Sequence, residues 1–132
     1  MTKQEQLEQL IEELRNNVPD ITGVMVASSD GLSIASDFAE EEGARIAAVG
    51  AAAAGLGNRI AQNASLGDVN ETMIKGSESL LLIYPAGDGV LAIRAPALGN
   101  LGLVRLEAGG TCQQVKDILN PAVSDQSQSS SS

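Results

Sequence analysis

The sequence predicts an α/β (α+β) domain in which helices cover an antiparallel sheet, with the element order α-β-β-α-β-β-β-α. Two observations predict this class. Helical apolar spacing marks the start, the middle and the last third of the chain. Short aliphatic runs separated by turn residues lie between these segments, first as a pair and then as a set of three. Such hairpins and meanders pair antiparallel, and helices then bury the faces of the sheet.

The first predicted helix opens with a capping box and carries one apolar stripe. Thr2 and Glu5 have the spacing at which each side chain binds the other's free backbone amide. Pro19 marks the end of the helix. The stripe expected to face the core consists of Leu7, Leu10, Ile11, Leu14 and Val18.

A β-hairpin follows this helix. Gly23–Ala27 is an aliphatic run, and the turn Ser28-Ser29-Asp30-Gly31 supplies a residue that tolerates positive φ. Residues 32–37 then alternate between larger apolar and small or polar side chains. The two runs therefore predict a pair of strands.

Glu40 opens a long helix of about 25 residues, which we expect Gly67 to end. We expect one face of it to pack on the sheet, through Ile46, Val49, Ala53, Leu56 and Ile60. A second face consists of small residues: Ala48, Ala51, Ala52 and Gly55.

The second half of the chain predicts a three-stranded meander and a last helix. Residues 68–75 alternate, residues 80–84 form a dense apolar run, and residues 90–94 form another. Asn100 is the expected cap of a helix that runs to Leu119, and Gly109-Gly110 should kink or break it. Residues 1–122 are thus expected to form one domain, and residues 123–132 a disordered Ser-rich tail.

Composition excludes several function classes. The net charge is −9, and the eight Lys and Arg residues are scattered singly, so no basic patch exists for nucleic acid or an anionic membrane. The chain lacks His and has a single cysteine, Cys112, which argues against metal and acid–base sites. No stretch is apolar and long enough to enter a bilayer. We therefore expect a cytoplasmic protein with no cofactor, no metal and no catalytic residues.

Other possible motifs have simpler structural explanations. The Gly55–Asn58 segment lacks the Lys and Ser or Thr of a phosphate loop and lies inside a helical pattern. Ser28 and Ser29 have no base nearby to activate them. Carboxylate pairs such as Glu41-Glu42 belong at a helix start. Cys112 is expected to be a small core residue.

The small-residue face of the long helix indicates an interaction surface. Between Arg45 and Arg59 there is no charge, although a solvent-facing stripe should be polar. Either another helix of the same chain covers this face, or a second copy or a partner protein does. The polar run at residues 68–75 points the same way, because a polar strand belongs at a sheet edge, where it can pair with its own copy.

The pattern resembles the Roadblock (dynein light-chain) family, in its bacterial and archaeal form, from Leu7 to Leu119. The resemblance rests on Gly23-Val24 with Ser29-Asp30-Gly31-Leu32, on the helix around Arg45-Ile46-Ala47-Ala48-Val49, and on Asn100-Leu101-Gly102-Leu103-Val104-Arg105-Leu106-Glu107. The chain departs from the family at Gly109-Gly110, where relatives tend to carry helix-favouring residues.

The resemblance implies a five-stranded antiparallel sheet between one long helix and the two terminal helices. It also implies a homodimer with a continuous ten-stranded sheet, which binds and regulates a small Ras-like GTPase. Applied to this sequence, it suggests partner-binding residues Arg45, Ala48, Ala52, Gly55 and Arg59, and dimer-interface residues Asn70, Glu71, Thr72 and Met73.

Two alternatives remain open at this point. A dimeric scaffold of a signalling or motility complex would bind its partner without changing GTP hydrolysis. A small-ligand sensor would use a similar sheet-and-helix domain, although the chain has only two aromatic residues, Phe38 and Tyr84, to line a pocket.

Overall fold

The computed structural model describes residues 1–120, and its element order is the predicted one. The helices are α1 (Lys3–Asn17), α2 (Glu40–Asn63) and α3 (Leu101–Leu119). The strands are β1 (Gly23–Ser28), β2 (Ser33–Ser36), β3 (Thr72–Lys75), β4 (Ser79–Ala86) and β5 (Gly89–Pro96). The predicted disordered segment, residues 123–132, lies outside the described residues.

The five strands form one antiparallel sheet in the order β2-β1-β5-β4-β3. Helices α1 and α3 pack against each other and against one face of this sheet, and α2 packs on the other face. The predicted fold class is therefore confirmed. Because β1, β5 and β4 are paired on both sides, the two strands with a free edge among residues 1–120 are β2 and β3.

The larger core lies between the sheet and the pair α1 and α3. It contains all five residues of the predicted α1 stripe, together with apolar residues of every strand except β3. The capping box that starts α1 is present: the Glu5 amide donates to Thr2 Oγ1 at 3.1 Å, and the Thr2 amide donates to Glu5 Oε1 at 3.0 Å.

The smaller core lies under α2, and here the predicted packing face is wrong for three of its five residues. The buried positions of α2 are four small residues, Gly43, Ala47, Gly50 and Ala61. Their spacing places all four on one side of the helix. Large side chains of the sheet pack against part of this face: Met25 and Ile83 cluster with Ala47, and Met25 Cε lies 3.5 Å from the position of a Cβ built at Gly43. Of the expected face, Ile46 and Ala53 are partly buried, whereas Val49, Leu56 and Ile60 are exposed.

The last helix is continuous, so the break predicted at Gly109-Gly110 is wrong. Asn100 caps α3 as predicted, with its side chain accepting from the Leu103 amide at 3.1 Å. Val104, Ala108, Thr111 and Val115 bury one face of α3 on both sides of the glycine pair. Gly109 and Gly110 are exposed, so burial of the opposite face outweighs their helix cost of about 1 kcal/mol each.

The region between α2 and β4 also differs from the sequence-based expectation. Helix α2 ends at Asn63, four residues before Gly67, and the Leu66 amide closes this end by donating to the Ala61 carbonyl at 2.9 Å. Strand β3 begins at Thr72, so residues 68–71 precede it. Glu71 bonds to side chains of β4 and α3, which holds residue 71 outside the regular ladder.

Candidate protein-interaction surface

The outward face of α2 is the largest uncharged surface that the sequence singled out. The five predicted partner-binding residues are all exposed there: Arg45, Ala48, Ala52, Gly55 and Arg59. They recur every three or four positions, which places them along one side of the helix, opposite the buried Ala47 and Gly50. Within residues 1–120 no other helix packs on this side of the sheet, so neither α1 nor α3 covers this face.

Three large apolar side chains extend this surface, and the sequence reading had assigned them to the core. Val49 is 61 % exposed, Leu56 is 59 % exposed and Ile60 is 54 % exposed. The signal that identifies them is the series of small residues on the opposite side of α2, since a helix that approaches a sheet closely presents its small side. We call Arg45, Ala48, Val49, Ala52, Gly55, Leu56, Arg59 and Ile60 together the α2 surface.

The charges of the α2 surface lie only at its two ends. Residues 46–58 carry none, and within residues 1–120 neither Arg45 nor Arg59 forms an ion pair. Removing uncharged apolar area from water contributes roughly 25 cal/mol for each Å². A partner that covers this surface would gain that free energy without desolvating a charge at its centre.

Strand β3 is the edge of the sheet nearest to the end of α2. A Cβ atom added at Gly57 would lie 3.0 Å from Thr72 Oγ1, so the penultimate turns of α2 pass directly over this strand. Met73 and Ile74 of β3 are 41 % and 55 % exposed. An edge strand with exposed apolar side chains can pair with another strand. Of the four predicted dimer residues, Thr72 and Met73 belong to this strand, and Asn70 and Glu71 precede it.

Glu71 is held by its own chain. Its carboxylate accepts two hydrogen bonds from Arg105 of α3, at 2.9 Å from Nε and 2.8 Å from Nη2. Tyr84 of β4 donates a third from its hydroxyl at 3.0 Å. The hydrogen bonds from Arg105, and secondarily that from Tyr84, lower the pKa of Glu71, whereas burial and the Glu71 carboxylate raise the pKa of Tyr84. Glu71 thus anchors the start of β3 to α3 and to the neighbouring strand β4.

Reactive groups among residues 1–120 form no comparable site. Cys112 is half-buried, its Sγ donates to the Pro85 carbonyl at 3.1 Å, and burial raises the pKa of its thiol. In the same part of the chain, no three Asp, Glu, Cys or His side chains are arranged to hold a metal ion. None of the three helices described is both long and apolar enough to cross a membrane.

Comparisons with known proteins agree with this geometry. The family model for the Roadblock/LC7 domain matches residues 7–95. Two uncharacterized proteins of Methanocaldococcus jannaschii are each 34 % identical to the chain over 102 residues, which cover 76 % of this chain and 90 % of theirs.

Solved structures share the fold at lower identity. The Roadblock/LC7 domain from Streptomyces avermitilis has a TM-score of 0.80 at 23 % identity, covering 85 % of this chain and 96 % of that one. The gliding protein MglB from Thermus thermophilus has a TM-score of 0.79 at 17 % identity, covering 89 % and 91 %. MglB from Myxococcus xanthus has a TM-score of 0.78 at 17 % identity, covering 89 % and 90 %. The chain therefore belongs to the Roadblock/LC7 domain family.

Proposed function

We propose that this chain forms a homodimer that binds and regulates a small Ras-like GTPase and has no active site of its own. Membership of the Roadblock/LC7 family supports the GTPase as partner class, because the resemblance to bacterial and archaeal members implies such a partner. The observation that carries the proposal is the α2 surface, which is exposed, uncharged over residues 46–58 and bordered by Arg45 and Arg59.

The dimer would form through β3. Two copies of Thr72–Lys75 pairing antiparallel about a two-fold axis would join two five-stranded sheets into one of ten strands. Such pairing would give the free backbone groups of this edge their partners and would cover Ile74. The two α2 helices would then lie side by side, because each passes over its own β3 close to the edge.

The GTPase would lie on the paired α2 helices. Ala48, Ala52 and Gly55 project little from the helix, so a partner's backbone can approach closely. Arg45 and Arg59 are the charged groups of this surface, and they favour an acidic rim on the partner. The rest of this chain is strongly acidic, which would discourage binding of the same partner elsewhere.

A dimeric scaffold is the second candidate function. The eight residues of the α2 surface include no side chain with a carboxylate or an amide, the groups that would position an attacking water. A partner could therefore be held there with its hydrolysis rate unchanged. Measurement of binding and of hydrolysis on the same samples separates the two functions.

Dimerisation is tested first, by light scattering after gel filtration. The wild-type chain should have twice the monomer mass of 13.5 kDa. Ile74→Glu, which places a charge at the proposed sheet junction, should shift the mass toward the monomer. Leu98→Glu is the matched control, because Leu98 is 97 % exposed on the loop before α3 and lies in neither surface. A monomeric wild type, or an unaffected Ile74→Glu variant, would contradict the proposed dimer.

GTPase binding is tested by titrating the dimer with a Ras-like GTPase from the same genome, loaded with GDP or with a non-hydrolysable GTP analogue. Single-turnover hydrolysis is then followed with and without the dimer. Ala52→Glu should abolish the complex and leave the dimer mass unchanged. If neither nucleotide state binds, the proposed partner class is wrong. Binding with unchanged hydrolysis and nucleotide exchange would establish the scaffold instead.

A further inference from the structure

The second free edge of the sheet, strand β2, lies in a groove between two helices. Helix α1 packs against one face of β2, and α2 packs against the other. Two adjoining cavities of about 360 and 380 Å³ lie along this edge and share Glu8 and Ser36 in their linings. Volumes of this size accommodate a small ligand or a short stretch of peptide. The groove lies at the opposite edge of the sheet from β3, so it is separate from the proposed dimer junction.

The backbone of β2 has hydrogen-bonding groups directed into this groove. The Asp37 amide donates to the Val24 carbonyl, and the ladder pairs Ala35 with Val26, so residues 35 and 37 face β1. Residues alternate in an antiparallel ladder, which directs the backbone amide and carbonyl of Ser36 away from β1. An extended peptide that adds as a sixth strand would bind to these groups.

The walls of the groove are acidic. Glu8 and Glu12 of α1 line it on one side, and Glu40 lines it at the start of α2. None of these three carboxylates forms an ion pair within residues 1–120. Arg15, the one basic residue of the lining, is already paired with Asp37. Glu8 and Glu12 also lie one helical turn apart, a spacing at which like charges destabilise a helix.

We infer that the β2 groove binds an extended, lysine- or arginine-rich segment of a partner protein by strand addition. A second copy of this chain is disfavoured as the occupant, because its own β2 edge carries the same carboxylates. A basic segment gains backbone hydrogen bonds from the edge and complementary charge from both walls. The inference does not depend on the proposed GTPase partner.

The test uses a fluorescein-labelled heptapeptide of alternating lysine and valine, titrated with the full-length protein and followed by fluorescence anisotropy. The acidic counterpart, in which glutamate replaces every lysine, should not bind. Two further probes carry N-methyl groups on alternate backbone amides. One probe is methylated at its odd-numbered residues and the other at its even-numbered residues. Since only one set of amides can face β2, methylation of that set should weaken binding more than tenfold. Methylation of the other set should leave binding within about twofold.

Protein variants locate the binding site. Glu8→Gln/Glu12→Gln should weaken binding of the basic peptide roughly three- to tenfold, as expected for losing two exposed ion pairs. The control Asp68→Asn/Glu78→Gln removes the same charge near β3, at the opposite edge of the sheet, and should leave the affinity unchanged. In the nuclear magnetic resonance spectrum, the amide signals of residues 33–36 should shift on binding, and those of residues 72–75 should not.

Four results would overturn the inference. One is the absence of binding by the basic peptide at millimolar concentration. Another is equal binding by both N-methylated probes, which would indicate charge attraction without strand pairing. A third is a loss of affinity in the control variant that equals the loss in Glu8→Gln/Glu12→Gln. The last is a set of amide shifts centred on β3.

Discussion

Replacement of Gly55 by alanine should stabilise the free protein and weaken its complex with a partner. Gly55 lies inside α2, on the outward face, and a methyl group built there meets no atom within 4 Å apart from its chain neighbours and the backbone of its own helix. Alanine is favoured over glycine in a helix interior by about 0.8–1 kcal/mol. For a domain of this size, that gain corresponds to a rise in melting temperature of about 3–5 °C.

The complex should respond in the opposite direction. If a partner backbone approaches Gly55 closely, the added methyl group overpacks the contact. Overpacking of a well-fitted interior costs about 1–3 kcal/mol, which corresponds to an affinity roughly five- to 150-fold lower. The same substitution thus separates the stability of the fold from the quality of the interface.

Gly110→Ala is the matched control for this experiment. Gly110 also lies inside a helix and has open space at its Cβ position, but it belongs to α3 on the other side of the sheet. Both variants should show the same rise in melting temperature by circular dichroism, measured at several protein concentrations. Only Gly55→Ala should lose affinity for the Ras-like GTPase in a titration. An unchanged affinity would refute close backbone contact at Gly55, and a lower melting temperature would show that its outward space is already filled.

Three further predictions concern the fold. Hydrogen bonds from Arg105 and Tyr84 lower the pKa of Glu71, so the ionised carboxylate stabilises the folded protein at neutral pH. This stabilisation is lost as the pH falls from about 4.3, the pKa of a glutamate in the unfolded chain, through the lower pKa of Glu71 in the folded protein. Glu71→Gln should therefore lower the urea midpoint at pH 7, with no difference from wild type in strong acid, while Tyr84→Phe should cost about 1 kcal/mol at pH 7. Asn100→Ala should destabilise the protein by about 1 kcal/mol in urea denaturation, and Asn100→Asp, which keeps the cap, should not. Since burial raises the pKa of Cys112, a thiol reagent at pH 8 should react with the native protein far more slowly than with the urea-unfolded chain; equal rates would contradict the packing described.

Local patterns in the sequence were sufficient to predict the order of elements and the fold class. Thr2 and Glu5 predicted the start of α1, and Asn100 predicted the start of α3, because caps depend on residues three positions apart. The stripe from Leu7 to Val18 predicted which side of α1 is buried, since every large apolar residue of α1 lies on that one side.

The candidate surface was predictable only in part. The absence of charge between Arg45 and Arg59 is a property of the sequence, and it was enough to identify α2 as the helix to consider. It did not reveal which side of α2 faces the sheet, because small residues occupy both sides of this helix. The expectation that Val49, Leu56 and Ile60 pack inward followed from their size and their helical spacing, but the structure leaves all three exposed.

The sequence by itself determined the elements, the antiparallel class and the presence of an uncharged helix face. Only the tertiary structure decided that Gly43, Ala47 and Gly50 face the sheet, that α3 continues through Gly109-Gly110, and that Glu71 binds Arg105. Each of these depends on residues far apart in the chain. Complementary packing of large side chains of the sheet against small residues of α2 stabilises the fold. This complementarity involves residues that are distant in the sequence, so a local pattern cannot identify it.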